Sequence, residues 1–132
     1  MTTPVVHLPD NLRQQIIDHC LSELSNEGCG LVAMDGDVVA KVYSTGNDSA
    51  SPTNYTIPPQ DHVNSLLDAE AFGWRLGGVF HSHPSGSAEP STLDVAAALD
   101  PDWLYMVVGL ADEPEVRGWS VRDQQISEIS LV

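Results

Sequence analysis

Short apolar runs alternate with segments of helical period along the 132 residues, and this alternation leaves few folds open to the chain. From Asp10 to Leu24, the residues Leu12, Ile16, Ile17, Cys20, Leu21 and Leu24 recur every three or four positions. That spacing predicts an amphipathic helix with Asp10 as its N-cap. "CGLVAM" (29–34) and "VVAKVYS" (38–44) flank an Asp-Gly pair and predict two strands joined by a tight turn. The stretch 45–59 is rich in Ser, Thr, Asn and Pro and reads as a surface loop, in which Tyr55 and Ile57 alternate as in a short edge strand. A second helix over about 60–74, a strand over 76–83 and a third helix over 91–100 follow. Strands over 103–110 and 116–123 and a terminal one from 126 complete the pattern. Interleaved elements of both kinds, without repeat, linker or low-complexity tract, predict a single α/β domain over 1–132: a mixed β-sheet flanked by helices.

Composition removes several classes of function. No apolar run approaches the roughly 20 residues that a membrane-spanning helix needs. Nineteen acidic against five basic residues give a formal charge of −14, which repels nucleic acid and anionic membrane surfaces alike. The same charge is open to two readings, solubility in a salty cytoplasm or an acidic docking face for a basic partner. "MTTPVVHLPDN" lacks the basic start and apolar middle of a secretion signal, so the expected location is the cytoplasm. Cys20 and Cys29 are too few for a disulfide framework, form no CxxC pair, and are read as small buried apolar residues.

The stretch "HSHPSGSAEPSTLD" (81–94) follows directly on an apolar run. Residues i and i+2 of a strand point to one face about 6.6 Å apart, so His81 and His83 can converge on one ion while Ser82 faces away. Imidazole nitrogens bind zinc at about 2.0–2.1 Å, and a catalytic zinc typically takes three protein ligands and a water. A third ligand is therefore required. Asp94 is the candidate, because Pro84 ends the strand and a polar loop turns back before a helix whose first turn carries the aspartate. "STLD" is equally a capping box, with Ser91 as cap and Asp94 complementing the helix dipole. The neighbouring His-x-His favours the metal, since paired histidines at a strand end have no other structural use. A hydrolytic metal also needs a general base that does not ligate it. Glu27, between Asn26 and Gly28 at the mouth of the first strand, is the candidate. Glu23, Asp35 and Glu89 are rivals, and a solvated loop acid is the plain alternative for each.

His81-x-His83-Pro84, six residues, then Ser91-x-x-Asp94, with Glu27 upstream of Cys29-Gly30-Leu31, resembles the JAMM motif of the MPN-type metalloproteases. The resemblance extends over nearly the whole chain, which looks in particular like the small stand-alone bacterial and archaeal members. It implies the cytidine-deaminase-like MPN fold and one zinc ion per chain held by His81, His83 and Asp94. Glu27 would be the general acid/base, taking a proton from the attacking water and returning it to the leaving amine. Ser91 would donate a hydrogen bond to the oxyanion, which is compatible with capping because a hydroxyl both donates and accepts. The implied substrate is a ubiquitin-like β-grasp protein, cut at its C-terminus from lysine or from an amino acid such as the cysteine added to a sulfur carrier. Tyr55, in the loop 45–59, is expected to give an apolar contact in a groove that admits an extended Gly-Gly tail by strand addition. A homodimer through exposed helix faces is compatible with this fold.

Two other readings accompany the peptidase: a metal-free scaffold of the same fold, and the RadC branch, which "HPSG…PS..D" also resembles. Every ligand position is filled, which argues against the scaffold. The acidic charge and the "EGCG" start favour the peptidase over the RadC branch.

Overall fold

The computed structural model describes residues 4–132. Among them are β1 (Val5–Val6), α1 (Asp10–Ser22), β2 (Cys29–Asp35), β3 (Val38–Thr45), α2 (Pro59–Ala71), β4 (Arg75–His83), α3 (Thr92–Ala97), β5 (Leu104–Gly109), β6 (Glu115–Arg122) and β7 (Gln125–Leu131). The strands form one mixed sheet in the order β1-β7-β6-β5-β4-β2-β3. The Asp-Gly signal makes the β2–β3 hairpin, with Asp35 paired to Val38 and Gly36 at a φ of +58°, a region that glycine enters without penalty.

β4 lies between β2, antiparallel, and β5, parallel. Its first half is apolar because both sheet faces are covered there. Alternate residues serve opposite faces: Val32 and Phe80 join Ile16 and Cys20 of α1 in the main core, while Leu31 and Val79 centre a second cluster with Tyr43, Tyr55, Ile57, Trp103 and Tyr105. α2 lies over this second face, where its Asp68 accepts hydrogen bonds from Tyr43 and Lys41. Gly30 is needed where it stands, since a Cβ there would run into the Tyr43 carbonyl and the Phe80 ring.

Several expected details are corrected. Asp10 is not the N-cap; Pro9 is, with its carbonyl accepting from Leu12 and Arg13 and no side-chain cap, which places Asp10 in the first turn. No strand forms at Tyr55 and Ile57, whose side chains are held by packing in the second cluster. α3 is six residues rather than ten, because none of its side chains is buried and Ala98 is already extended. Leu99 is accordingly 89% exposed. β1 was not anticipated: two residues are too short for any period to register, and they are strand only through pairing with β7. His7 goes on to bridge Val38, so the outer edges of the sheet meet at one end and the sheet curls. Among the described residues no helix is long and apolar enough to cross a membrane.

For the site, the decisive feature is the β2–β4 register. Cys29 pairs with His81, so two residues further back along the incoming chain Glu27 arrives level with His83.

Candidate metal centre

His81 and His83 stand on the same face of β4, and the loop after Pro84 brings Asp94 back to them. Asp94 Oδ2 lies 3.0 Å from Nε2 of each histidine, and the two Nε2 atoms are 3.2 Å apart. Donors bound to one tetrahedral zinc at about 2.0–2.1 Å are spaced by roughly 3.3 Å, so this set is close to the spacing a single ion requires. His81 is buried and His83 half-buried, which gives the cluster a partly dry setting. His83 Nδ1 donates to the Ser87 carbonyl at 2.8 Å, which fixes the tautomer and leaves Nε2 for a ligand. The Ser87 loop is itself braced, since Trp119 Nε1 donates to the Ala88 carbonyl at 3.0 Å.

Asp94 is both cap and cluster member. Ser91 Oγ accepts from Asp94 N at 3.1 Å, and Ser91 N donates to Asp94 Oδ2 at 2.8 Å, closing the capping box. The two readings of "STLD" coexist because a carboxylate oxygen has two lone-pair directions. Burial would raise the Asp94 pKa, but hydrogen bonds from His81 and His83 outweigh it and hold the carboxyl far below the usual range. The hydrogen bond to Asp94 correspondingly raises His83. A cation bound here would take the place of the imidazole N–H groups that face Asp94.

Glu27 is only 4% exposed. Among the described residues its buried Oε1 has no hydrogen-bond partner, an arrangement disfavoured unless the group has other work. Burial pushes the carboxyl up to about 7, against the pull of His83 and with a further push from Asp94. A carboxyl near neutrality is matched to moving protons at ordinary pH. The rivals fall elsewhere: Asp35 at the far end of β2, Glu89 in an ion pair with Arg117, and Glu23 at the end of α1 beside His19.

The raised Glu27 value is also a stability statement. Folding disfavours the ionised form, so the penalty is absent below the unfolded value of 4.5 and grows as pH rises toward about 7. At about 1.4 kcal/mol per pH unit, the rise from 4.5 to about 7 gives the metal-free protein a penalty of up to about 3.5 kcal/mol above neutrality. Glu27→Gln is therefore expected to stabilise the metal-free protein at pH 8 and to change little at pH 4, as read by urea unfolding. The same change at both pH values would mean that this carboxyl is not held out of water.

A family model described as prokaryotic homologs of the JAB domain matches residues 9–122. The chain belongs to that family. The desampylase of Haloferax volcanii is 29% identical over 81% of this chain and 82% of that protein. A probable TtuB-protein conjugate cleaving protease of Thermus thermophilus is 35% identical over 71% of this chain and 64% of its own length. The CysO-cysteine peptidase of Mycobacterium tuberculosis is 25% identical over 96% of this chain and 90% of that one. Among solved structures, a protein from Desulfitobacterium hafniense aligns with a TM-score of 0.88 at 29% identity, covering 97% of this chain and 92% of that one. A JAB1/MPN domain protein from Archaeoglobus fulgidus aligns at 0.60 and 18% identity over 99% of both chains, a likeness of fold. The mixed α/β MPN fold expected from the sequence is the fold observed.

Within this JAB-family chain the other expected residues are also close by. Ser91 lines a groove of about 250 Å³ together with Glu27, His83, Pro84, Pro52 and Thr53. Tyr55 stacks on the His81 ring, with centroids 4.6 Å apart and planes at 16°, so it packs against a candidate ligand rather than along a sheet edge. Both thiols are buried, and burial pushes Cys20 up to about 12 and Cys29 up to about 11, in keeping with inert core residues.

Sequence reasoning passed over Ser82, which it placed only as facing away. Fully buried on the α1 side, Ser82 accepts at Oγ from Gly28 N at 2.8 Å and donates its own N–H to the Gly28 carbonyl at 2.9 Å. It ties the ligand strand to the chain that delivers Glu27. A buried hydroxyl between two histidines was the only available hint.

Proposed function

We propose that this chain is a zinc-dependent peptidase or isopeptidase that hydrolyses the bond at the C-terminus of a ubiquitin-like or sulfur-carrier β-grasp protein. The observation that carries the reading is the convergence of the His81, His83 and Asp94 donors beside the buried side chain of Glu27, whose Oε1 has no hydrogen-bond partner among the described residues. Two imidazoles and a carboxylate are a donor set suited to catalytic zinc, leaving one position for water. A zinc ion bound there supplies Lewis acidity, lowering the pKa of a water and polarising the scissile carbonyl.

The chain's own residues divide the remaining work. Glu27 takes the proton from the attacking water and delivers it to the leaving amine, so one carboxyl near neutrality serves both transfers. Ser91 Oγ accepts from Asp94 N, which leaves its hydroxyl proton to donate to the oxyanion. Tyr55 shapes the approach: beyond its contact with His81 it lines an apolar cavity of about 370 Å³ with Leu31, Ile57, Val79, Trp103 and Tyr105. The relatives support the substrate class, being described as a desampylase, a TtuB-protein conjugate cleaving protease and a CysO-cysteine peptidase.

Two substrates test this reading: a ubiquitin-like carrier joined through its C-terminal glycine to a lysine side chain, and the same carrier extended by one cysteine. Elemental analysis is expected to give about one zinc per chain. Mass spectrometry is expected to show release of the carrier ending in a free glycine carboxylate from at least one substrate. Chelation should stop the reaction and zinc restore it. Zinc-loaded protein that cuts neither substrate, tested across several ubiquitin-like carriers, would overturn the proposal, as would cleavage indifferent to chelation.

A further inference from the structure

The loop between β3 and α2 reaches the site at two points, and one side chain joins them. Asn47 Nδ2 donates to the Glu27 carbonyl at 3.1 Å and to the Asn54 carbonyl at 3.0 Å. Its Oδ1 accepts from Ser49 N at 3.0 Å and from Thr56 N at 2.9 Å. Two carbonyls on one side and two N–H groups on the other allow a single orientation of the amide, since a flip would set donors against donors. Asn54 and Thr56 bracket Tyr55, the residue stacked on His81. The same loop also holds Glu27 from behind, because Glu27 N donates to the Ser51 carbonyl at 2.8 Å.

The Glu27 carboxylate, by contrast, has at Oε1 no hydrogen bond of its own. Its position is set by its backbone, and that backbone is gripped at the carbonyl by Asn47. Asn47 makes no hydrogen bond to His81, His83 or Asp94; it touches the Glu27 backbone directly and reaches the candidate ligands only through Tyr55, stacked on His81.

We propose that Asn47 is a positioning residue for Glu27, fixing where the carboxyl sits relative to the water it deprotonates. The inference rests on the reading of Glu27 as the general base. Misplacing a catalytic group by about 1 Å costs on the order of 100-fold in rate, and losing the Asn47 bond frees the Glu27 peptide on one side. The requirement is for a donor. Asn47→Asp keeps the acceptor for Ser49 and Thr56, and with it much of the loop, but cannot donate to Glu27.

The test compares Asn47→Ala, Asn47→Asp and Glu27→Gln with the wild type on the carrier substrate that the wild type cleaves. Both Asn47 variants are expected to lose about 100-fold in kcat with KM within about twofold, and to retain about one zinc per chain. If Asn47→Ala does not fold, Asn47→Asp carries the test. An inactive Glu27→Gln beside Asn47 variants of near-normal kcat overturns the role of Asn47 and leaves the base intact. A loss confined to KM, or one matched by loss of zinc, also overturns it by assigning Asn47 to substrate binding or to the metal site. Full turnover in Glu27→Gln removes the base itself and this inference with it.

Discussion

Glu27→Gln is expected to keep the metal and to lower turnover by about 100- to 10,000-fold, the range typical of a lost general acid/base. Glutamine has the same shape but cannot take a proton from water. The substitution leaves the neighbourhood undisturbed, because Oε1 has no partner to lose. Nor do the His81, His83 and Asp94 donors depend on it, for their contacts run among themselves and to Ser87 and Ser91. The loss therefore falls on kcat while zinc per chain stays near one. The same variant is expected to be more stable than the wild type without metal at pH 8, so inactivity cannot be ascribed to unfolding. Turnover within tenfold of wild type would remove Glu27 from the chemistry.

Asp94→Ala is expected to abolish metal binding at ordinary zinc concentrations, a fall of at least about 100-fold in affinity, with little change in helix content. Losing a first ligand costs more than losing a supporting partner, which alone is worth about 10–100-fold. Removing the cap costs α3 only about 0.5–2 kcal/mol. α3 is six residues long and buries no side chain, so even its complete fraying would barely alter the circular dichroism. Elemental analysis of dialysed protein reads the first effect and far-ultraviolet dichroism the second. Full zinc occupancy in this variant would reduce Asp94 to a helix cap.

Much of this molecule is written locally. Period two puts His81 and His83 on one face, Asp-Gly makes the hairpin, Ser91 and Asp94 have capping-box spacing, and the apolar run before His81 marks a buried strand. Each signal acts between residues a few positions apart, so no knowledge of the rest of the chain is needed to read it. The five polar positions of the site, taken with their spacing, were enough to indicate the family.

What the sequence left open depends on contacts across the chain. Whether Glu27 was buried beside the histidines or was a solvated loop acid could not be decided from Asn26 and Gly28. It follows from the pairing of Cys29 with His81, which carries Glu27 to His83 and out of water. Asn47 looked like any residue of a polar loop until closure of that loop set two carbonyls and two N–H groups around its amide. Tyr55 carried a strand-like alternation and proved to be packed on His81. β1 became a strand only because β7 was there to pair with it. The sequence determined most of the elements and which residues are the candidate ligands, because propensity, period and capping are short-range. Only the tertiary structure decided which acid is buried and what holds it, because burial and hydrogen-bond closure are properties of segments brought together from distant parts of the chain.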